Sequence, residues 1–160
     1  MVHMNAPAPA VVCDPATSEP FLRVCFICTG NTCRSPMAEA LYNHMNRGKP
    51  TRACSRGIAV QAGSPIAAYA VAALAEAGIP NLPDNDYEGH VAAQIDEAVM
   101  ACCDRIICLS SAHALSLMCA FPAHSGKIST LAEIADPYGQ PPEAYRQTLR
   151  QIREALGYAE

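Results

Sequence analysis

One hundred and sixty residues with 51% hydrophobic and only 16% charged side chains exclude a disordered chain, and a single domain of this length buries roughly 70% of its unfolded surface. No apolar run reaches the roughly 20 residues that span a bilayer, so no membrane association is expected. A formal net charge of −4, from 11 Lys+Arg against 15 Asp+Glu, supplies no basic field for nucleic acid or anionic lipid, and neither is expected as a partner.

The chain opens with MVHMNAPAPAVVCDPATSEP, which lacks the charged start and continuous apolar stretch of a signal peptide. Its prolines, Pro7, Pro9, Pro15 and Pro20, predict a flexible leader over 1–20 ahead of one domain over 21–160. Leu22 to Ile27 is a β-branched and apolar run ending at the turn signal Thr29-Gly30-Asn31, and reads as a buried strand. Ser35-Pro36-Met37-Ala38-Glu39 then starts a helix, with proline just inside and a carboxylate in the first turn, running to about Arg47 before Gly48 and Pro50. Arg56 to Val60 is a weak second strand, and the alanine-rich stretch from about Ile66 to Ala77 is a second helix. Leu82 to Gly89 is polar and turn-like, and Val91 to Ala101 is expected to be helical.

Arg105 to Leu109 is again a short apolar strand, and Ser110-Ser111 can cap the helix carrying Leu115, Leu117 and Met118. Lys127 to Thr130 is a short strand candidate, Asp136 to Gly139 a turn, and Glu143 to Leu156 a final amphipathic helix through Tyr145, Leu149, Ile152 and Leu156. Strands alternating with helices predict an α/β fold with a parallel sheet covered by helices on both faces. Ligands of such sheets bind beyond the carboxyl ends of the strands. The loop that starts at Cys28 is therefore the expected site. Nine cysteines, odd in number and irregularly spaced, predict reduced thiols and a cytoplasmic protein rather than a secreted disulfide framework.

Cys28-Thr29-Gly30-Asn31-Thr32-Cys33-Arg34-Ser35 places a thiol and a guanidinium six positions apart across a turn that opens a helix. Backbone N–H groups of such a loop and of the helix start form an anion nest, and the planar fork of Arg34 can hold two phosphate oxygens. The same positive environment favours a thiolate at Cys28, the nucleophilic form of cysteine. Ser35 could donate a hydrogen bond to that sulfur, and Asn31 suits the left-handed backbone the turn demands. Cys33 could condense with a sulfenic acid at Cys28 as a reversible disulfide, or could be a small buried filler.

The stretch Phe26-Ile27-Cys28-Thr29-Gly30-Asn31-Thr32-Cys33-Arg34-Ser35-Pro36-Met37-Ala38-Glu39 resembles the signature of the low-molecular-weight protein-tyrosine phosphatases, a likeness that runs from about Leu22 to about Leu156. The resemblance implies a four-stranded parallel sheet with the phosphate-binding loop after the first strand. It implies Cys28 as nucleophile, Arg34 as phosphate clamp and Ser35 as thiolate stabiliser, with no metal and no cofactor. Asp136-Pro137-Tyr138 matches the family's Asp-Pro-aromatic turn, which makes Asp136 the expected acid and base and Tyr138 a cleft wall. His90 resembles the family histidine that supports the loop through the position of Asn31, although Ala93 stands where an arginine is frequent.

Thr32 is the position that bears most on substrate. Tyrosine-directed members carry isoleucine or leucine there, an apolar shelf for a phenyl ring, whereas threonine leaves a narrower, polar spot suited to a guanidinium. The Thr-Gly-Asn-Thr form, with Gly139 in place of a second aromatic, resembles the bacterial protein-arginine phosphatase branch. A phosphorylated protein side chain is thus the expected substrate and inorganic phosphate the product, with phosphoarginine first and phosphotyrosine as the alternative. A rival of another class is arsenate reduction, which needs two further relay cysteines; Ser110 stands where the first would be, and Cys108 and Cys119 are out of that spacing. Cys25-x2-Cys28 could suggest zinc, but two more ligands at usable spacing are wanting.

Overall fold

The computed structural model describes residues 21–158, and the leader expected over 1–20 lies outside them. Strand β1 (Leu22–Cys28) directs Val24, Phe26 and Cys28 into one core cluster and Cys25 and Ile27 into another. This is the period of two that a pleated strand imposes, and burial on both sides explains its continuous apolar reading. Then follow α1 (Arg34–Met45), β2 (Thr51–Gly57), α2 (Ala68–Glu76), α3 (Glu97–Cys102), β3 (Arg105–Cys108) and α4 (Ser111–Ala120). A 3-10 helix, Pro122–Lys127, leads into β4 (Ile128–Thr130), and α5 (Pro142–Ala155) closes the described fold.

The four strands are parallel in the order β2-β1-β3-β4. Helices α1, α2 and α5 cover one face, where Met37, Leu41, Leu74, Leu149 and Ile152 meet Val24 and Phe26. The other face is closed by α3 and α4 through Val99, Met100 and Leu117 against Cys25, Ile27 and Ile106. The chain leaves β1 for β2 on one side and later crosses to β3 on the other. Crevices form at such a reversal, beyond the carboxyl end of the central strand. That end is Cys28.

Two elements differ from expectation. The second strand spans Thr51–Gly57 rather than starting at Arg56. Its small and charged residues carry no apolar alternation, and residue-by-residue pairing with β1 makes it a strand, a case of tertiary context overriding local preference. The helix expected from Val91 begins only at Glu97. Backbone groups of 92–95 pair sideways instead: Ala92 N donates to Ser64 O, Gly57 N to Ala93 O, and Ile95 N to Gly57 O. Asp96 then caps α3, with Oδ1 accepting from Val99 N at 2.9 Å.

Seven cysteines among the described residues are free thiols. Cys102 departs from the expectation of reduced thiols and is disulfide-bonded.

Gly57, the last residue of β2, matters for the site because the loop after β1 lies directly against it. A Cβ there would collide with Val60 Cγ2, stand 2.6 Å from Thr29 O and come within 3.1 Å of Asn31 Cβ. Two of these three obstacles belong to the loop. Gly57→Ala should therefore lower stability by about 2 kcal/mol through overpacking and displace the loop. Thermal denaturation checks the first effect, and a wild-type melting temperature would show that the loop yields freely.

Candidate active site

The loop of residues 28–35 is built around buried polar groups. Cys28 ends β1 with 2% exposure, and its Sγ lies 2.9 Å from Ser35 Oγ in the first turn of α1. Asn31 Nδ2 donates to the same Ser35 oxygen at 2.8 Å. One lone pair of the hydroxyl is thereby occupied. Its hydrogen is left for Cys28 Sγ or for the more distant Arg56 O at 3.4 Å. The shorter contact favours the sulfur, and a donor aimed at sulfur stabilises a thiolate.

Asn31 adopts φ +58°, the only described residue other than glycine with a left-handed backbone. It is fully buried, and its side chain is satisfied from three elements. Besides Ser35, Nδ2 donates to Ser55 Oγ of β2 at 3.0 Å, and Oδ1 accepts from Ala93 N at 3.0 Å. His90 Nε2 donates to the Asn31 carbonyl at 2.8 Å. Ala93, where an arginine is frequent in the family resembled, thus contacts the loop through its backbone amide.

Helix α1 starts at Arg34, within the end of the loop, so its first N–H groups have no helical acceptors and carry the positive end of the helix dipole toward the loop. The Arg34 guanidinium is buried and held from several sides. Nη1 donates to Ile134 O at 3.0 Å, and Nη2 lies 3.5 Å from both Thr29 Oγ1 and Asp136 Oδ2. The Asp136 side chain is 51% exposed. Its other oxygen accepts from Tyr138 N at 3.1 Å, a local turn that aims the carboxylate. Tyr138 itself is 73% exposed.

Cys28, Arg34, Ser35 and Asp136 are therefore brought to one place from β1, α1 and the segment after β4. Thr32 is half-buried, its carbonyl fixed by Ala67 N at 2.9 Å and its Oγ1 3.7 Å from Cys33 Sγ. Cys33 Sγ donates to Tyr145 Oη at 3.6 Å, and burial pushes this thiol above its ordinary value. The Tyr145 ring meets Tyr69 edge to face at 5.6 Å, placing a second half-exposed aromatic beside the loop. Gly30 lies open, with room for a side chain. Cys25 points into the opposite core face from Cys28, so this pair does not converge on a metal.

Four contributors had no sequence signal. Ser55, the Ala93 amide and the Ile134 carbonyl reach the loop only through chain crossovers. The fourth is His113 of α4, whose Nε2 lies 2.8 Å from Thr29 Oγ1. A lone histidine four residues beyond a strand could have been surface or core. For a sulfur relay, Ser110 is engaged as the cap of α4, Cys108 is buried in the core under α3 and α4, and Cys119 sits exposed near the far end of α4.

Comparison with known proteins gives consistent matches. Residues 23–158 fit the family model described as low molecular weight phosphotyrosine protein phosphatase. The chain is 30% identical over 143 residues to a protein-arginine-phosphatase of Bacillus subtilis, covering 83% of this chain and 91% of that protein. It is 31% identical over 135 residues to the probable low molecular weight protein-tyrosine-phosphatase EpsP of Ralstonia nicotianae, with 81% and 88% covered. Among solved structures, a low molecular weight protein tyrosine phosphatase from T. tengcongensis superposes with a TM-score of 0.78 at 34% identity, covering 84% of this chain and 95% of that one.

Burial holds His90 below the ordinary imidazole value, outweighing the opposing pull of its hydrogen bond to Asn31 O. The folded protein then binds this proton less readily than the unfolded chain. Its contribution to stability is complete above about pH 6.5 and is lost as pH falls through the lowered folded value. His90→Gln, which can still donate to the Asn31 carbonyl, should flatten the decline of melting temperature between about pH 7 and 5. An unchanged slope in the variant would remove His90 from the acid response.

Proposed function

The chain belongs to the low molecular weight phosphotyrosine protein phosphatase family, and we propose from its loop geometry that it hydrolyses phosphoarginine side chains of proteins through a phosphocysteine on Cys28. The observation that carries the chemistry is the 2.9 Å contact of Cys28 Sγ with Ser35 Oγ, at the base of a loop whose other end is the anchored Arg34. Cys28 thiolate attacks phosphorus while Arg34 and the loop amides hold the phosphoryl oxygens. Asp136 gives its proton to the leaving nitrogen, and the P–N bond breaks. The Asp136 carboxylate then takes a proton from the water that attacks the phosphocysteine. The S–P bond breaks, and inorganic phosphate and the thiolate are released.

Thr32 and Gly139 support the choice of phosphoarginine. A threonine at the loop midpoint offers a hydroxyl and less apolar area than a leucine or isoleucine, and Gly139 leaves Tyr138 as the sole ring of its turn. The arginine-directed name of the B. subtilis relative agrees with this choice. Phosphotyrosine is the second reading. It is favoured by the exposed ring of Tyr138 and the half-exposed ring of Tyr69, surfaces on which a phenyl group could lie, and by the tyrosine-directed name of the R. nicotianae relative.

In the same scheme, peroxide oxidation of Cys28 to a sulfenic acid would allow Cys33 sulfur to displace water and form a disulfide. A reducing cytoplasm would return both thiols. The free cysteines among the described residues support that location, with Cys102 the exception. No helix of the described residues is long and apolar enough to cross a membrane, and the net negative charge offers nucleic acid no attraction.

Cys28→Ser should abolish turnover while still binding vanadate, and Asp136→Ala should reduce kcat by about 10²- to 10⁴-fold. Quenched-flow mass spectrometry for phosphorylated Cys28 checks the intermediate; turnover persisting in Cys28→Ser would refute the nucleophile. Thr32→Ile should shift the kcat/KM ratio from phosphoarginine toward phosphotyrosine peptides by about tenfold or more. Equal ratios before and after would remove Thr32 as the selector.

A further inference from the structure

His113 stands in the first turn of α4 at 5% exposure, with its backbone N–H bonded to Ser110 Oγ. Its Nε2 lies 2.8 Å from Thr29 Oγ1, and the same oxygen lies 3.5 Å from Arg34 Nη2. A guanidinium has only donors, so the threonine oxygen must accept from it. The hydroxyl hydrogen is then free to be donated to Nε2, the arrangement in which His113 is a neutral ring with its proton on Nδ1.

That Nδ1 is buried and has no hydrogen-bond partner among the described residues. An unpaired ring nitrogen in the interior opposes folding, so stability does not explain the imidazole. The charged groups that act on the ring are Arg34 of α1 and, from the segment after β4, Glu133 and Asp136. Burial and then Arg34 hold its pKa below the ordinary imidazole value, against the opposing pull of Asp136 and Glu133.

We propose that His113 is a positioning residue that acts through the Thr29 hydroxyl to fix the Arg34 guanidinium before a phosphoryl group arrives. The fork is gripped on one side by Ile134 O. Thr29 shares the grip on Nη2 with Asp136, and His113 fixes the rotor of that hydroxyl from a packed helix. A guanidinium already in place need not reorganise when charge develops on the phosphoryl oxygens. His113 has this role only if the loop is the phosphate cradle proposed above.

The test compares the full chain with His113→Leu, Thr29→Val, Thr29→Ser and the His113→Leu/Thr29→Val double variant. The readouts are the inhibition constant of inorganic phosphate, kcat/KM for a phosphopeptide, and melting temperature. Each of His113→Leu and Thr29→Val should weaken phosphate and lower kcat/KM about tenfold, and the double variant should lose no more than either alone. Thr29→Ser, which keeps the hydroxyl, should retain more phosphate affinity and kcat/KM than Thr29→Val. His113→Leu should melt no lower than the wild type, because leucine removes the orphaned nitrogen.

The proposal is overturned if single losses multiply to about a hundredfold in the double variant, since independent sites add in free energy. It is equally overturned if His113→Leu fails to fold or melts lower, or if Thr29→Val behaves as wild type. A wild-type protein that binds no phosphate and turns over no phosphopeptide would instead sink the cradle itself, a failure visible before any variant is made.

Discussion

The arrangement depends on one buried amide. Asn31 is held in a left-handed turn with no access to water, and its side chain joins three pieces of chain that are remote in sequence: α1 at Ser35, β2 at Ser55 and the segment before α3 at Ala93. Hydrogen bonds in a low-dielectric interior are strong when every member is satisfied and damaging when one is lost. Asn31 thus links the curvature of the loop to the orientation of the Ser35 hydroxyl, and through it to the electrostatic surroundings of the Cys28 sulfur. Backbone shape and sulfur environment are not independently adjustable here.

The strand, the loop and the helix around Cys28 were legible because each is specified within about fifteen consecutive residues. An apolar run, a Gly-Asn turn and a Ser-Pro helix start follow in order, and the alternation of later elements points to a parallel sheet. What escaped was whatever is decided between distant segments. Thr51–Gly57 has no apolar alternation, and its pairing with β1 makes it a strand. The Val91 stretch has helical composition, yet its amides find partners on Gly57 and Ser64 before a helix can claim them. The Ile134 carbonyl and the Ala93 amide are backbone groups, on which side-chain identity gives no information. Thr32 shows the opposite limit: its side chain is explicit in the sequence, whereas its half-buried setting is a property of the fold.

A division of labour separates the two charged groups of the site. Arg34 is buried and anchored by Ile134 and Thr29, whereas Asp136 is half-exposed and tied chiefly to its own turn. A cation that stabilises developing charge is most effective when it need not move. In the proposed cycle Asp136 gives a proton to the leaving nitrogen and later takes one from water, and a half-exposed carboxylate leaves that water a way in. The sheet supplies the first requirement, because Arg34 and Cys28 sit at opposite ends of a loop pinned to its central strand. The segment after β4 supplies the second, since it lies past the shortest strand and leaves the sheet after the bonds of Leu131 N to Cys108 O and Ile134 N to Leu109 O.

The depth of the sulfur has a consequence for which proteins the enzyme can touch. At 2% exposure, Cys28 lies below the protein surface, whereas the ring of Tyr138, in the turn that carries Asp136, stands 73% exposed. In phosphoserine and phosphothreonine the phosphorus is only three bonds from Cα, so it meets a buried sulfur only if the main chain comes down with it. Arginine and tyrosine carry the group at the tip of a long arm. In the proposed reaction the buried sulfur thus works as a dipstick, favouring groups carried at the end of a long arm over short esters, whatever their intrinsic reactivity.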